Sequence, residues 1–276
     1  MKNKLTFLFL FLSTIASAQS DTIQTDRIIT NAQMISVGSV NLLDTYLSPE
    51  HYTGTDIRFI SHTTRELQEE GQPELKRISY QLVHQGNLSF CKNRADNGNE
   101  IAGAYDFQFV LHYNWNWRQG SNCLNLKVGG MTGTNIGFIY NTQNSNNPAQ
   151  ARAAVYLGPS SVLSYKFDVR KFRFVIRYEA SLPMLGLMFS PNYGQSYYEI
   201  FSKGNYDHNI VVTTPFSAPS FRNMLSADIN LHATTIRIGY LGDFQQADVN
   251  NLKSHIYTHA FMIGFVRKFK YIKLRP

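Results

Sequence analysis

Between Asp106 and Arg118 the chain alternates. Phe107, Phe109, Leu111, Tyr113, Trp115 and Trp117 fall on one face, and Asp106, Gln108, Val110, His112, Asn114, Asn116 and Arg118 on the other. A period of two over more than ten residues is the pattern of a strand with one apolar and one polar face. Strands in soluble sheets run to ~5–6 residues, whereas a strand crossing a bilayer at a tilt needs ~9–11. The alternation recurs. Ile78, Tyr80, Leu82, Leu88 and Phe90 oppose Ser79, Gln81, Gln85, Asn87 and Ser89. Phe172, Phe174, Ile176 and Tyr178 oppose Arg173, Arg177 and Glu179. Tyr257, His259, Phe261, Ile263 and Phe265 oppose Thr258, Ala260, Met262 and Gly264.

Tyr113, Trp115 and Trp117 cluster at one end of an apolar face, as an interfacial aromatic girdle would. The polar faces carry charges in mid-strand. The pattern predicts an all-β protein, a transmembrane antiparallel β-barrel with a lumen filled by polar side chains. The predicted strands are 33–43, 54–68, 76–91, 102–117, 122–136, 152–169, 172–182, 221–231, 234–247 and 255–269. Ten is an even number and leaves both ends on the periplasmic side. The turns at 118–121, 170–171 and 232–233 are short and read as periplasmic. The connections at 44–53, 92–101, 137–151, 183–220 and 248–254 are longer and read as outward. A hairpin inside 183–220, around Tyr197–Phe201 and Ile210–Thr214, would raise the count to twelve.

The N-terminus adds an address. Met1-Lys2-Asn3-Lys4 is basic, Leu5 to Leu12 is apolar apart from Thr6, and Ala16-Ser17-Ala18 has small residues at cleavage spacing. These are the parts of a secretory signal peptide. The expected organisation is a signal peptide over 1–18 removed after Ala18, a periplasmic segment over 19–32, an outer-membrane barrel over 33–269 and a basic periplasmic tail over 270–276. The expected location is integral in the cell outer membrane, with outer-membrane lipids as the surroundings.

Composition agrees. Charged residues make up only 16%, against about 25% in an average soluble domain, and aromatics reach 13%. A mean hydropathy of -0.25 is no obstacle, because only half of each barrel strand must be apolar. Two cysteines exclude a disulfide scaffold. Cys91 and Cys123 fall at opposite ends of their strands, too far apart to bridge, so both are expected free. The net charge of +7 does not indicate nucleic acid: Arg267, Lys268, Lys270, Lys273 and Arg275 crowd the last ten residues, where they suit anionic phospholipid headgroups.

Three segments carry a family resemblance. Asn144-Ser145-Asn146-Asn147-Pro148-Ala149-Gln150-Ala151, the run Phe189-Ser190-Pro191-Asn192-Tyr193-Gly194-Gln195-Ser196-Tyr197-Tyr198-Glu199-Ile200-Phe201, and the closing Tyr257-Thr258-His259-Ala260-Phe261-Met262-Ile263-Gly264-Phe265 resemble a family of Bacteroidetes outer-membrane β-barrels of unknown function. The resemblance implies an outer-membrane barrel and brings no catalytic residues.

Barrel hydrolases that act on phospholipid need a His and a Ser two residues apart on one outward face, so that base and nucleophile sit side by side on the pleat. His84 is followed by Gly86 in that position and His259 by Phe261. No catalytic residue is assigned. The eight histidines lack ligand spacing, so no metal and no cofactor is expected. Two sets of residues are singled out instead. Phe189, Tyr193, Tyr197, Tyr198, Glu199 and Phe201 form a candidate interaction loop, because a long connection rich in aromatics suits a contact surface. Lys166, Asp168, Arg173, Arg177, Glu179, Asp228 and Arg237 form a candidate lumen charge network, in which Asp228 opposes Arg237 and Asp168 opposes Arg173 across their turns.

Two function classes compete. One is a non-enzymatic barrel, an accessory subunit of a larger outer-membrane assembly or a surface-binding protein, whose partner is another outer-membrane protein or a surface glycan. The other is an enzyme that modifies lipid A or phospholipid at the outward rim with Glu199, Asp207 and His208; a small-solute channel is a further alternative. The first is favoured, because no nucleophile–base spacing appears on any strand.

Overall fold

The computed structural model describes residues 27–67, 77–170, 172–231 and 234–271. The signal-peptide segment, residues 272–276 of the tail and the His232-Ala233 turn lie outside the described residues. In chain order the strands are β1 (Arg27–Asp44), β2 (Ser48–Leu67), β3 (Ile78–Asn93), β4 (Asn99–Gln119), β5 (Asn122–Asn141), β6 (Ala149–Val169), β7 (Phe172–Ser181), β8 (Leu185–Phe189), β9 (Ile210–Thr213), β10 (Ser220–Leu231), β11 (Thr234–Val249) and β12 (Leu252–Tyr271), with one helix, α1 (Tyr197–Phe201).

Ten of these strands close an antiparallel barrel. Each of β1 to β6 pairs with the next, β7 pairs with β10, and β10, β11 and β12 follow in turn. Closure is made by β1 on β12, from Arg27↔Tyr271 to Asp44↔Ser254. The hairpin β8–β9 stands on β6 above the end of β7, at the end of the barrel that carries the long loops.

Most strands run past their predicted limits. The first begins at Arg27, so residues 27–32, read as periplasmic segment, are strand, as are Lys270 and Tyr271 of the tail. The predicted connection 44–53 shrinks to the turn 45–47. Beyond a bilayer the outward face has no need of apolar residues, so the alternation fades while the backbone ladder continues. The predicted extra hairpin exists in part. Ile210–Thr213 is a strand, but its partner is Leu185–Phe189, and Tyr197–Phe201 is helix. Ser196 caps that helix: its hydroxyl accepts from the Glu199 N–H while the Glu199 carboxylate accepts from the Ser196 N–H. This reciprocal pair is a strong local signal for a helix start.

The two faces are inverted relative to a soluble barrel. Ile35, Val37, Phe59, Leu88, Phe90, Leu111 and Phe261 are exposed, while Ser36, Asp56, Ser79, Ser89, Asp106 and Thr258 are buried in the lumen. Soluble proteins almost never bury such groups while exposing contiguous large apolar ones. The lumen is closed by its own side chains. Alongside the polar ones it holds two apolar clusters: Ala32, Met34, Ile60, Met224, Leu241, Ala260, Met262 and Val266, and, towards the loop end, Val40, Leu42, Leu47, Tyr52, Cys91, Ala102 and Ile139.

Candidate functional site

Residues 190–209 fold across the loop end and are fastened there by polar side chains. Asn209 Nδ2 donates to the Ser190 carbonyl at 3.1 Å and to Gln195 Oε1 at 2.7 Å. Asn250, in the β11–β12 turn, reaches from below and donates to the carbonyls of Ser190 and His208 at 3.1 and 2.9 Å. The aromatic residues of the candidate loop then form two sets that share Phe201. Phe201 stacks on both Phe189 and Tyr197, which meet each other tilted at 38°, and Tyr46 meets Tyr197 edge-on at 5.8 Å. Tyr197 Oη donates to Gln150 Oε1 and accepts the Ala151 N–H, both at 2.7 Å, which ties α1 to β6. Tyr193, Tyr198 and Phe201 present more than half their surface to solvent, joined by Tyr206 and, on the following turn, Phe216. Tyr197 is therefore an anchor, and Tyr193, Tyr198 and Phe201 are the exposed aromatics of the loop.

The anchoring marks the titratable groups. Burial and the nearby Asp44 and Glu199 charges push the Tyr46 phenol up to about 12. Burial likewise pushes the Tyr197 phenol up. The hydrogen bonds from the Ser196 backbone and hydroxyl hold the Glu199 carboxyl below the usual range.

Within the lumen the predicted network is split. Asp228 lies opposite Arg237, and the two form a buried bidentate pair at 2.6 and 2.8 Å. Asp168 lies opposite Arg173, but that pair, at 2.9 Å, sits half exposed at the short-turn rim and is not interior. Glu179 accepts from Gln81 at 3.1 Å and lies 3.6 Å from His62 and 3.9 Å from Arg177. Lys166 joins Lys127, Arg177, Arg237 and Lys268 around a cavity of about 320 Å³ near the same rim.

A second network is absent from the sequence-based set. Arg222 donates to Asp106 at 2.7 Å and to Asp243 at 3.2 Å. Arg58 donates to Asp243 at 2.6 Å and to Asp56 at 3.0 Å. Tyr156 donates to the other Asp106 oxygen at 2.8 Å. Alternation places each of these residues on an inward face, so membership was within reach; their pairing joins strands far apart in sequence, which hairpin register cannot supply.

His84 and His259, both outward, are each held by a tyrosine on a neighbouring strand, Tyr105 and Tyr240, at 2.6 Å. The His208–Asp207 pair, at 2.7 Å, is fully on the surface. Among the described residues no three His, Cys, Asp or Glu side chains converge as a metal site would require. Cys91 and Cys123 are both free.

The model of a family described as a protein of unknown function (DUF3316) matches residues 4–276. No curated protein matches the chain. Among solved structures, the barrel is similar to the outer membrane protease OmpT from Escherichia coli, at 8% identity and a TM-score of 0.49, covering 92% of this chain and 100% of that one. It is also similar to the transport unit of the autotransporter AIDA-I from Escherichia coli, at 8% identity and a TM-score of 0.44, covering 94% of this chain and 96% of that one.

Proposed function

This chain belongs to the DUF3316 family of proteins of unknown function, and we propose that it is an integral outer-membrane barrel, exported by a signal peptide cleaved after Ala18, that works as a non-enzymatic interaction subunit. Its inverted faces support residence in the bilayer: a closed barrel leaves no unpaired edge in lipid, and the outward apolar side chains meet acyl chains. The loop end then faces the cell exterior, because the connections there are the longer ones.

One observation carries the interaction reading: Tyr193, Tyr198 and Phe201 stand exposed on a loop whose backbone is fixed by Tyr197, Asn209 and Asn250. Rigid aromatics bury large area at little cost in rotamer entropy, which is why they dominate the centres of binding surfaces. The partner is another outer-membrane protein or a surface glycan. Transport through the lumen has no support, since Arg222 and Arg58 span it.

Mild-detergent extraction followed by affinity purification tests the reading. The wild-type protein retains a stoichiometric outer-membrane partner or a bound glycan, and a Tyr193→Ala/Tyr198→Ala variant loses it while keeping heat-modifiable mobility. Retention of the partner by the variant contradicts the reading. So does a monomer whose host shows altered lipid A or phospholipid that reverts with His208→Ala.

A further inference from the structure

The ladder between β7 and its neighbour breaks at one level. Pairing of β7 with β10 ends at Ser181↔Arg222. Pairing resumes between β8 and β9 only at Gly186↔Thr213. Residues 182–185 and 214–221 thus face each other without a ladder. Leu182 and Met184 turn their N–H groups away, to the carbonyls of Pro159 and Leu157 on β6. Of the residues whose N–H would point into the break, Pro183 has none. The opposite lip carries Pro215 and Pro219, and its 214–218 stretch turns on itself, the Ala218 N–H donating to the Thr214 carbonyl at 2.7 Å. Pro183 therefore adds no orphan donor to the opening.

Its height is set by β7. Ten residues at ~3.3 Å per residue and a tilt near 45° rise about 23 Å, close to the ~25 Å apolar band of such barrels. The break therefore opens at the outer edge of the band. Its outside is apolar: Leu182, Met184 and Leu185 are exposed beside it, and Phe216 on the opposite lip is 98% exposed. Behind it lies a cavity of about 100 Å³ whose lining runs from outward Val155 and Phe221, past Pro183, to inward Met188, Tyr156 and Arg222. Both guanidiniums on the lining are already engaged, Arg222 by Asp106 and Asp243 and Arg152 by Gln245 at 3.1 Å. The cavity's size is of the order that takes one small apolar group, as an engineered cavity of roughly 150 Å³ takes benzene.

We propose that the break between Pro183 and the 214–219 turn is a lateral port through which the end of one acyl chain of an outer-leaflet lipid enters the barrel wall and occupies the cavity beside Met188. The proposal rests on the bilayer residence proposed above. A headgroup is excluded by size; the apolar group within reach of a port at the outer edge of the band is an acyl chain bent back towards the interface.

Tryptophan quenching by lipids brominated on their acyl chains tests it. In a Trp115→Phe/Trp117→Phe background, Phe221→Trp reports the lipid-facing surface and Met188→Trp the cavity. In vesicles of brominated phosphatidylcholine, Phe221→Trp is quenched, and Met188→Trp is quenched at least half as strongly. Adding Ala218→Phe, which fills the cavity, removes the quenching of Met188→Trp alone. Quenching at 221 without quenching at 188 overturns the port. Quenching at 188 that survives Ala218→Phe overturns it as well. Absence of quenching at both positions overturns bilayer residence and the port with it. Thr213→Trp, on the same cavity, replaces Met188→Trp if that variant loses heat-modifiable mobility.

Discussion

Arg222 on β10 donates to Asp106 on β4 at 2.7 Å, a bond that crosses the lumen between walls 116 residues apart in the chain. The same guanidinium reaches Asp243, and Asp243 also accepts from Arg58 on β2. The chain thus braces its barrel with fixed ionic crosspieces, and the lumen is structural space.

Removing the centre of that brace leaves the buried Asp106 carboxylate with the Tyr156 hydroxyl but no counter-charge, and leaves Asp243 paired with Arg58 alone. Breaking a buried pair costs about 3–5 kcal/mol because the remaining charge stays uncompensated. Arg222→Met is expected to destabilise the barrel by that order in urea unfolding from detergent micelles. Arg222→Met combined with Asp106→Asn is expected to recover part of the loss. Equal stability of Arg222→Met and wild type would remove the brace from the account.

The same crosspieces predict an electrically silent protein. In planar bilayers the purified barrel is expected to show no large, stable single-channel conductance. Steady openings of porin size would contradict an occluded lumen.

Tyr197 is expected to act on the loop and not on a ligand directly. Tyr197→Phe removes the hydroxyl that donates to Gln150 and accepts from Ala151. Orphaning a buried hydrogen-bonding group costs about 1–3 kcal/mol, felt here locally. Protease nicking within 202–208 on intact cells should accelerate by roughly tenfold or more, since 1.4 kcal/mol is a factor of ten. Tyr198→Phe, whose ring is 65% exposed, should leave nicking unchanged.

The legible part of this molecule was the part governed by neighbours in sequence. Period-two alternation assigned Ile78, Phe107 and Phe261 to the outside and Ser79, Asp106 and Thr258 to the inside. A two-residue turn put Asp228 opposite Arg237. Strand ends were harder, because β1 and β2 keep their ladder after the apolar face has ended. The hairpin of Leu185–Phe189 with Ile210–Thr213 was too short to show a period of its own. The capping box at Ser196 and Glu199 was readable as a helix start, but the surrounding tyrosines resembled strand. The Arg58–Asp243–Arg222–Asp106 brace depends on which walls face each other, which closure of the barrel decides.

Acid should loosen the cap through Glu199. Hydrogen bonds from Ser196 hold its carboxyl below the ordinary range. The ionised form is thus the one favoured by folding, and its contribution is complete above ~4.3, the ordinary value for a glutamate. It is lost as pH falls through the lower folded value. Hydrogen exchange of amides 196–205, corrected for intrinsic rates, is expected to lose protection across that window. In Glu199→Gln, which keeps the reciprocal cap without the charge, the pH dependence should vanish.

A barrel that crosses the outer membrane with its aromatic cap outside sets which turns reach the cell surface, and surface labelling reads this out. In a Cys123→Ser background, Ser145→Cys sits in the loop between β5 and β6 and Ser121→Cys in the turn between β4 and β5. With a membrane-impermeant thiol reagent on intact cells, residue 145 is expected to be labelled and residue 121 only after lysis. Labelling of residue 121 on intact cells with residue 145 protected would contradict that orientation.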